Sequence, residues 1–191
     1  MDLTQWEFIE SIPEQELKLL LVSDTHLNFE ALKKLSEWYK EEGRNYDYVI
    51  MPGDFTNIKK EEHEDPAKEQ EAIDGAKNTL QLMQTYTNQT KIIYIPGNHE
   101  PLSNYSREIQ VDNCVNIHGQ SYELAEDLVI FGLGGSTPAT QFNIEHGKYE
   151  QVWNSFPYKN EQEFAKYLGQ TFKQTFSKYG DQVISSKIFS L

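Results

Sequence analysis

The 191-residue sequence predicts an α/β fold with a largely parallel β-sheet, because strand-like and helix-like segments alternate along its first half. Three short apolar runs, 17–22, 48–51 and 92–95, have the length and character of buried strands. Polar residues or a Pro-Gly pair close each run, and the segments between the runs carry apolar residues at helical spacing. This alternation of strands and helices predicts parallel strands that are joined by crossover helices.

Two helices are predicted between these strands. The first is indicated by four apolar residues at helical spacing and by Gly43, a typical C-terminal stop. The second is indicated by three apolar residues that lead toward Tyr86, and the charge-rich stretch 59–77 predicts a solvated loop and helix start. These apolar residues are Phe29, Leu32, Leu35 and Tyr39 in the first helix, and Ile73, Leu80 and Met83 in the second.

The second half of the chain has a different character. Short apolar runs within 115–133, separated by turn residues, predict a small antiparallel meander, and the stretch from there to residue 160 predicts irregular structure. Apolar residues at every fourth position then predict an amphipathic helix that Gly180 would cap, and residues 182–184 predict one further strand. The apolar residues of this helix are Phe164, Leu168, Phe172 and Phe176.

Composition and charge exclude several classes of protein. Leu, Ile, Val and Phe make up roughly a quarter of the chain, above the ~20% below which a highly charged chain is expected to be disordered. The net charge of −13 argues against general nucleic-acid binding, which needs clustered Lys and Arg. No apolar run approaches the ~18 residues of a membrane helix.

The single cysteine and the first residues bear on the compartment. Cys114 has no second cysteine to pair with, which excludes an internal disulfide and a cysteine-based zinc knuckle. The acidic N-terminus lacks the basic region of a signal peptide. We therefore expect a cytoplasmic protein.

Polar residues of metal-ligand type follow each of the three predicted strands. The motifs are Asp24-Thr25-His26, Gly53-Asp54 and Gly97-Asn98-His99-Glu100. Because the carboxyl ends of parallel strands meet at one edge of a sheet, we expect these side chains to lie close together. Carboxylate, imidazole and amide groups suit divalent ions such as Mn, Fe and Zn. Any one motif is also typical of a plain turn, but three in this order favour a metal site.

Together the three motifs resemble those of the calcineurin-like metallophosphoesterase superfamily. The segments 115–119 and 132–138 are similar to those of its Icc-related predicted phosphoesterases, whereas Gly53-Asp54-Phe55-Thr56 and Glu100 also resemble its small phosphodiesterases. The likeness spans roughly residues 17–185. It implies the calcineurin-like phosphoesterase fold, a β-sandwich flanked by helices, in a domain 17–191 that follows an N-terminal extension, 1–16.

The resemblance also implies a role for each motif residue. Asp24 and His26 would bind a first metal ion, and Asp54 would bridge it to a second. Asn98 would bind the second ion and contact a phosphate oxygen of the substrate. His99 would contact the substrate and, without binding metal, act as general acid toward the leaving alkoxide. The expected cofactors are divalent ions of the Mn, Fe, Zn or Mg class, and the expected nucleophile is a metal-activated hydroxide.

The resemblance weakens toward the C-terminus. The family supplies further ligands from a later strand-end histidine and from a Gly-His-x-His motif, whereas no histidine follows His146 here. We therefore predict a C-terminally truncated domain that binds one metal ion or none. The remaining histidines, His63, His118 and His146, are interpreted as loop or surface residues rather than substitute ligands.

Two functions are compatible with these observations. The first is a metal-dependent phosphoesterase that hydrolyses a phosphomonoester or a phosphodiester, with a phosphorylated small molecule as its partner and no role for nucleic acid or membrane. The alternative is a catalytically impaired or inactive phosphoesterase-like protein that acts as a structural or interaction subunit of a larger assembly.

A truncated domain would also need a protein partner. Without later strands, the meander would present an unpaired strand edge and an uncovered apolar face. We therefore expect a partner to cover the truncated C-terminal side, to order residues 185–191 and to be required for stability.

Overall fold

The computed structural model describes residues 17–43, 45–101, 109–126, 128–136, 139–143, 147–153, 157–159 and 161–179. Within these ranges the chain forms eight β-strands and three α-helices. The N-terminal extension 1–16, the cap at Gly180, the predicted strand 182–184 and the tail 185–191 lie outside the described residues. Those four expectations therefore stay predictions.

The first four strands form a parallel sheet in the order of the sequence. They are β1 (Leu19–Leu21), β2 (Tyr48–Met51), β3 (Lys91–Tyr94) and β4 (Cys114–Asn116). One row of paired residues crosses all four strands and is buried throughout; it consists of Leu20, Val49, Ile92 and Cys114. The α/β class and the parallel pairing of the three predicted strands are confirmed.

The prediction of an antiparallel meander was wrong for its first strand. Instead, β4 pairs in parallel with β3, and the Ile117 N–H extends the pairing by donating to Tyr94 O at 3.0 Å. Cys114 packs into the apolar cluster on one face of the sheet, whereas Val115 and Ile117 pack into the cluster on the other. Burial on both faces is typical of parallel strands and accounts for the difference.

Helix α1 (Phe29–Glu42) begins and ends as its sequence predicts. The Asn28 side chain accepts a hydrogen bond from the Ala31 N–H at 3.0 Å and caps the N-terminus. Gly43 ends the helix with a φ of +60° and donates its N–H to Lys40 O.

Helix α2 (Pro66–Tyr86) begins earlier than expected. Asp65 caps its N-terminus by accepting a hydrogen bond from the Ala67 N–H at 2.9 Å, and Pro66 occupies the first turn. The charged stretch predicted as a loop holds a short 3-10 turn, Lys60–Glu62, and then the first turns of α2. Its charges lie on the solvent side of a helix whose first buried residue is Ala72.

Side chains of the parallel sheet alternate between two apolar clusters. In β2, Val49 and Met51 face α1 and α2, whereas Tyr48 and Ile50 face the opposite side of the sheet. The first cluster also holds Leu32, Tyr39, Leu80 and Met83, and the second holds Ile93, Ile117 and Leu124. The sheet is therefore covered on both faces.

An antiparallel hairpin and a third helix complete the layers. The hairpin consists of β5 (Gln120–Ala125) and β6 (Leu128–Gly132), and it packs on the second face of the parallel sheet. Helix α3 (Glu161–Tyr179) lies on the outer side of the hairpin, where the rings of Phe131 and Phe172 meet edge to face at 5.5 Å. The predicted sandwich flanked by helices, the pairing of β5 with β6 and the amphipathic helix are confirmed.

A second hairpin replaces the irregular structure expected after residue 133. It consists of β7 (Ala139–Asn143) and β8 (Lys148–Trp153), and Gly147, with a φ of +62°, directly precedes β8. Both strands are rich in β-branched and aromatic residues, which favour extended structure. That preference outweighs the lack of a regular apolar alternation, and the prediction was wrong here.

The longest helix in the described ranges is α2, with 21 residues. Charged side chains interrupt it, and none of the described helices is long and apolar enough to span a lipid bilayer.

Candidate metal centre

The loops after β1 and β2 run side by side at the carboxyl edge of the parallel sheet. The Asp24 N–H donates to Gly53 O at 3.3 Å, and the His26 N–H donates to Asp54 O at 3.0 Å. These bonds continue the strand pairing beyond the ends of the strands. Asp24, His26 and Asp54 are thereby brought to one edge of the sheet, where sites on open α/β folds form.

The loop after β3 joins them through a close approach of two glycines. Gly53 has a φ of +103°, and a Cβ there would overlap the backbone of Gly97. A Cβ on Gly97 would in turn overlap the Asp54 carboxylate, so only glycine fits at both positions. The His99 N–H then donates to Asp54 Oδ1 at 3.1 Å.

Three side chains that can bind a metal ion meet at this point. One donor atom each from His26, Asp54 and His99 lies within 4.8 Å of the other two, and all three residues are partly buried. The two imidazole rings stand edge to face, with centroids 4.9 Å apart. Atoms that bind one zinc ion at about 2.1 Å lie within about 4.2 Å of one another, so a small adjustment would let one ion contact all three.

Backbone carbonyls fix the orientation of both imidazole rings. His26 Nδ1 lies 2.8 Å from Thr56 O, and His99 Nδ1 lies 3.1 Å from Ile58 O. Because a carbonyl oxygen only accepts, each Nδ1 carries the hydrogen, and Nε2 of the neutral ring is left as the acceptor. Metal-binding histidines are held in this way. The donor set of two imidazoles and a carboxylate therefore fits a divalent ion such as Zn, Fe or Mn.

The backbone at these residues is strained. Asp24, His26 and Asp54 have φ angles of 53°, 45° and 54°, in the left-handed region that residues other than glycine rarely adopt. Such conformations persist where neighbouring structure enforces them, and they cluster at functional sites. Here the hydrogen bonds between the strand-end loops supply that constraint.

The other two predicted ligands lie beside the three-residue cluster. Asp24 Oδ1 is 3.9 Å from His26 Nε2, and the Asp24 side chain is 53% exposed. Asn98 is partly buried and lies between Gly97 and His99 on the same loop. The predicted metal-binding roles of Asp24 and Asn98 stay predictions. The same holds for His99, whose Nε2 is oriented equally well for a ligand and for a general acid.

Glu100 lies beside this cluster, although the sequence motif that contains it assigns it no role. Its side chain is fully buried and accepts hydrogen bonds from the backbone N–H groups of Gly97, Asp54 and Thr56. Burial raises the pKa of the Glu100 carboxyl to about 7, and the nearby charge of Asp54 adds to this effect. The hydrogen bonds from the three N–H groups lower the pKa and offset part of the rise.

The remaining histidines do not belong to the three-residue cluster or lie outside the described residues. His118 Nδ1 accepts a hydrogen bond from the Gly134 N–H at 2.9 Å, and burial lowers the pKa of this imidazole to about 4. It therefore acts as a neutral connector between two loops rather than as the surface residue that was one of its two predicted roles. His63 lies in the turn after Lys60–Glu62, and His146 lies outside the described residues.

Comparison with known proteins agrees with the fold described above. The sequence profile of the calcineurin-like phosphoesterase family matches residues 17–188. The crystal structure of TT1561 of Thermus thermophilus is similar with a TM-score of 0.52 and 16% identity, over 83% of this chain and 64% of that one. At this identity the likeness supports the fold alone, and this chain spans less than two thirds of that protein. No curated protein is significantly similar in sequence. The chain belongs to the calcineurin-like phosphoesterase family.

Proposed function

We propose that the protein is a metal-dependent phosphoesterase whose active site lies at the His26–Asp54–His99 cluster. The observation that carries this proposal is the convergence, within 4.8 Å at the carboxyl edge of the sheet, of three side chains that can bind a metal ion. Family membership supports hydrolysis of a phosphoester, and a phosphorylated small molecule is the substrate class that we propose. A divalent ion of the Mn, Fe, Zn or Mg class would supply Lewis acidity toward a phosphoryl oxygen and lower the pKa of water.

His26 and Asp54 would hold the ion in this proposal, with Asp24 and Asn98 completing its surroundings. The Thr56 carbonyl keeps His26 Nε2 free of hydrogen in the neutral ring, so the nitrogen is ready to bind. Asn98 and His99 would also contact the phosphate group of the substrate.

His99 is proposed as the general acid. Its Nδ1–H is engaged by Ile58 O, so a second proton on Nε2 is the one available to the leaving alkoxide. A ligand role would use the same Nε2 atom and would exclude proton donation. His99→Ala therefore separates the two roles, because loss of a ligand weakens Mn²⁺ binding whereas loss of an acid does not.

The leaving group sharpens this distinction. Loss of a general acid should slow hydrolysis of phenyl phosphate more than that of para-nitrophenyl phosphate, whose leaving group needs little protonation. Equal slowing of both substrates, together with weaker Mn²⁺ binding, would assign His99 to the metal instead.

The activity itself is tested with Mn²⁺ and two generic substrates. We expect calorimetry to detect Mn²⁺ binding, and we expect hydrolysis of para-nitrophenyl phosphate or bis(para-nitrophenyl) phosphate, the first a monoester and the second a diester. His26→Ala and Asp54→Asn should abolish both binding and hydrolysis. The matched control His63→Ala changes a histidine outside the cluster and should alter neither. Hydrolysis that survives both cluster substitutions would overturn the proposal.

A second candidate function, an interaction subunit, is favoured by an apolar groove along one side of α3. The groove is open, has a volume of about 540 Å³ and includes the ring of Phe176, which is 43% exposed. The groove is lined by Ala165, Leu168, Gly169, Phe172, Lys173 and Phe176. A protein partner seated in this groove would bury the Phe176 ring. Sedimentation velocity measures whether the protein associates, and binding of a hydrophobic dye measures whether the groove is exposed. A monomer that binds neither the dye nor another protein chain would exclude the role of an interaction subunit.

We infer a cytoplasmic location from the state of the single cysteine. Cys114 is buried in β4, and burial raises the pKa of its thiol to about 12, so it behaves as a small apolar residue. A chain that uses no disulfide suits a reducing compartment. Fractionation of cells that express the full chain tests the location.

A further inference from the structure

Glu100 is a fully buried carboxylate that follows His99 directly. Its side chain has a relative exposure of 0%, whereas glutamate is almost never fully buried without partners. It does not belong to the group of donors formed by His26, Asp54 and His99. Its burial beside the site therefore requires another explanation.

The partners of this carboxylate come from two different strand-end loops. Oε2 accepts hydrogen bonds from the N–H of Gly97 at 2.7 Å and from the N–H of Asp54 at 3.0 Å. Oε1 accepts from the N–H of Thr56 at 3.0 Å, and the Thr56 hydroxyl lies 3.2 Å away. One side chain thus ties the loop after β2 to the loop after β3.

The segment tied down in this way orients all three candidate ligands. Asp54 itself holds a left-handed φ of 54°, which the bond to its N–H helps to enforce. Thr56 O accepts from His26 Nδ1, and Ile58 O, two residues further, accepts from His99 Nδ1. The path from Glu100 to each imidazole therefore runs through the backbone of residues 54–58.

We propose that Glu100 is a positioning residue that presets the geometry of His26, Asp54 and His99 by clamping the backbone of residues 54–58 to Gly97. The proposal rests on the proposed function, because the geometry that Glu100 fixes is that of the proposed metal centre. Outer partners that orient metal ligands typically change metal affinity by about 10–100-fold when they are replaced.

Glu100→Gln is the sharpest variant, because it keeps the size of the side chain but turns one of its two acceptor atoms into a donor. That donor would face either the N–H groups of Gly97 and Asp54 or that of Thr56, and the clamp would open on one side. We expect Mn²⁺ affinity to fall about 10–100-fold. In the metal-free protein we expect faster hydrogen exchange at the released amides. Ile93→Val, at a fully buried position of β3, is the matched control for general destabilisation and should leave Mn²⁺ affinity unchanged.

The clamp and the metal centre can fail separately in this experiment. If the wild type binds no Mn²⁺, the proposed function fails, while exchange at Gly97, Asp54 and Thr56 still decides the clamp. The positioning role would be overturned if Glu100→Gln left both the amide exchange and the Mn²⁺ affinity unchanged. It would also be overturned if Ile93→Val lost as much Mn²⁺ affinity as Glu100→Gln.

The wild type alone provides a test that does not depend on the folding of a variant. Bonds from N–H to a carboxylate are short and charge-assisted, and they move amide proton resonances downfield. We expect this shift at Gly97, whose bond is the shortest at 2.7 Å, and at Asp54. Random-coil shifts at both amides would overturn the proposal.

Discussion

Helices α2 and α3, which lie on opposite sides of the sandwich, are buried to very different extents. Along the inner face of α2, the side chains of Ala72, Ala76, Leu80 and Met83 are all fully buried. Along α3, the buried residues include Thr171 and Thr175, while Tyr167 and Phe176 are nearly half exposed. The inner face of α2 is therefore part of a closed core, whereas α3 keeps apolar surface exposed, as α1 does at Phe29 and Trp38.

The two layers also differ in how they relate to the candidate metal centre. A Cβ added at Gly75 of α2 would lie 2.9 Å from Leu27 and 3.2 Å from Thr56, so this helix packs directly on the strand-end loops. A Cβ added at Gly169 of α3 would meet nothing within 4 Å apart from the backbone of its own helix. Changes on the inner face of α2 should therefore reach the site, and a change at Gly169 of α3 should not.

The largest expected difference between the layers concerns their apolar side chains. Leu80→Ala should lower the free energy of unfolding by about 2–5 kcal/mol, because it leaves a cavity in the closed core. Phe176→Ala should change it by only about 1 kcal/mol, because this ring is 43% exposed, although it also packs on the Phe172 ring at 4.7 Å. Urea unfolding measures both. An equally large effect at Phe176 would show that the α3 face is covered in solution.

The stability of the protein should depend on pH through His118, which connects two loops by its bond to Gly134. Because burial lowers the pKa of His118 from 6.5 to about 4, the folded state resists a proton that the unfolded state accepts. The contribution of His118 to the free energy of unfolding is therefore fully present above pH 6.5. It decreases by roughly 3 kcal/mol as the pH falls from 6.5 toward 4. His118→Asn should remove this dependence while its amide oxygen can still accept from Gly134.

The comparison with the variant is needed because Glu100 acts in the opposite direction. Its pKa is raised from 4.5 to about 7, so its contribution to stability falls as the pH rises through that range. Subtracting the unfolding curves of His118→Asn from those of the wild type at each pH isolates the histidine. A flat difference between pH 6.5 and 4 would contradict the prediction.

Close packing at the site gives the third contrast. Gly97→Ala would force a Cβ into the Asp54 carboxylate and backbone, and it should destabilise the protein by about 1–3 kcal/mol and abolish Mn²⁺ binding. Gly169→Ala meets open space within α3 and should stabilise by up to about 1 kcal/mol through helix propensity. Thermal unfolding with and without Mn²⁺ distinguishes the two. A Gly97→Ala protein that still binds Mn²⁺ would show that the loops can separate without loss of the centre.

The parts of the structure that the sequence predicts correctly are those determined by local patterns. Buried apolar runs placed the three strand ends, and Asn28 and Gly43 bounded α1 through ordinary capping chemistry. The early start of α2 was also readable, since Asp65 and Pro66 form a typical N-terminal signal. The charged residues that follow obscured it.

The parts that escaped prediction depend on contacts between distant segments. A three-residue run such as β4 does not reveal whether its partner is parallel or antiparallel, because β3 lies far away in the sequence. The role of Glu100 depends on amides from two loops that only folding brings together. The meeting of His26, Asp54 and His99 was predictable as a convergence of strand ends, whereas the orientation of the rings by Thr56 and Ile58 was not.

The smallest expected effect tests the polar connection between the α3 side and the rest of the molecule. The Tyr158 hydroxyl, just before α3, donates to Gly134 O at 2.7 Å in a buried setting, and Gly135 N–H donates to Pro96 O at 3.0 Å. Tyr158→Phe removes the first bond and leaves the Gly134 carbonyl without that donor, which should lower the free energy of unfolding by about 1 kcal/mol.

Its matched control is Tyr167→Phe, which changes a half-exposed ring of the same layer and should have an effect within about 0.5 kcal/mol. Mn²⁺ affinity should be unchanged in both variants, because the connection reaches Pro96 rather than the side chains of the cluster. Unfolding in urea and calorimetric titration measure the two quantities independently. If Tyr158→Phe weakened Mn²⁺ binding while Tyr167→Phe did not, the α3 layer would be coupled to the site through the Gly134–Gly135 loop. The separation of the two layers would then be wrong.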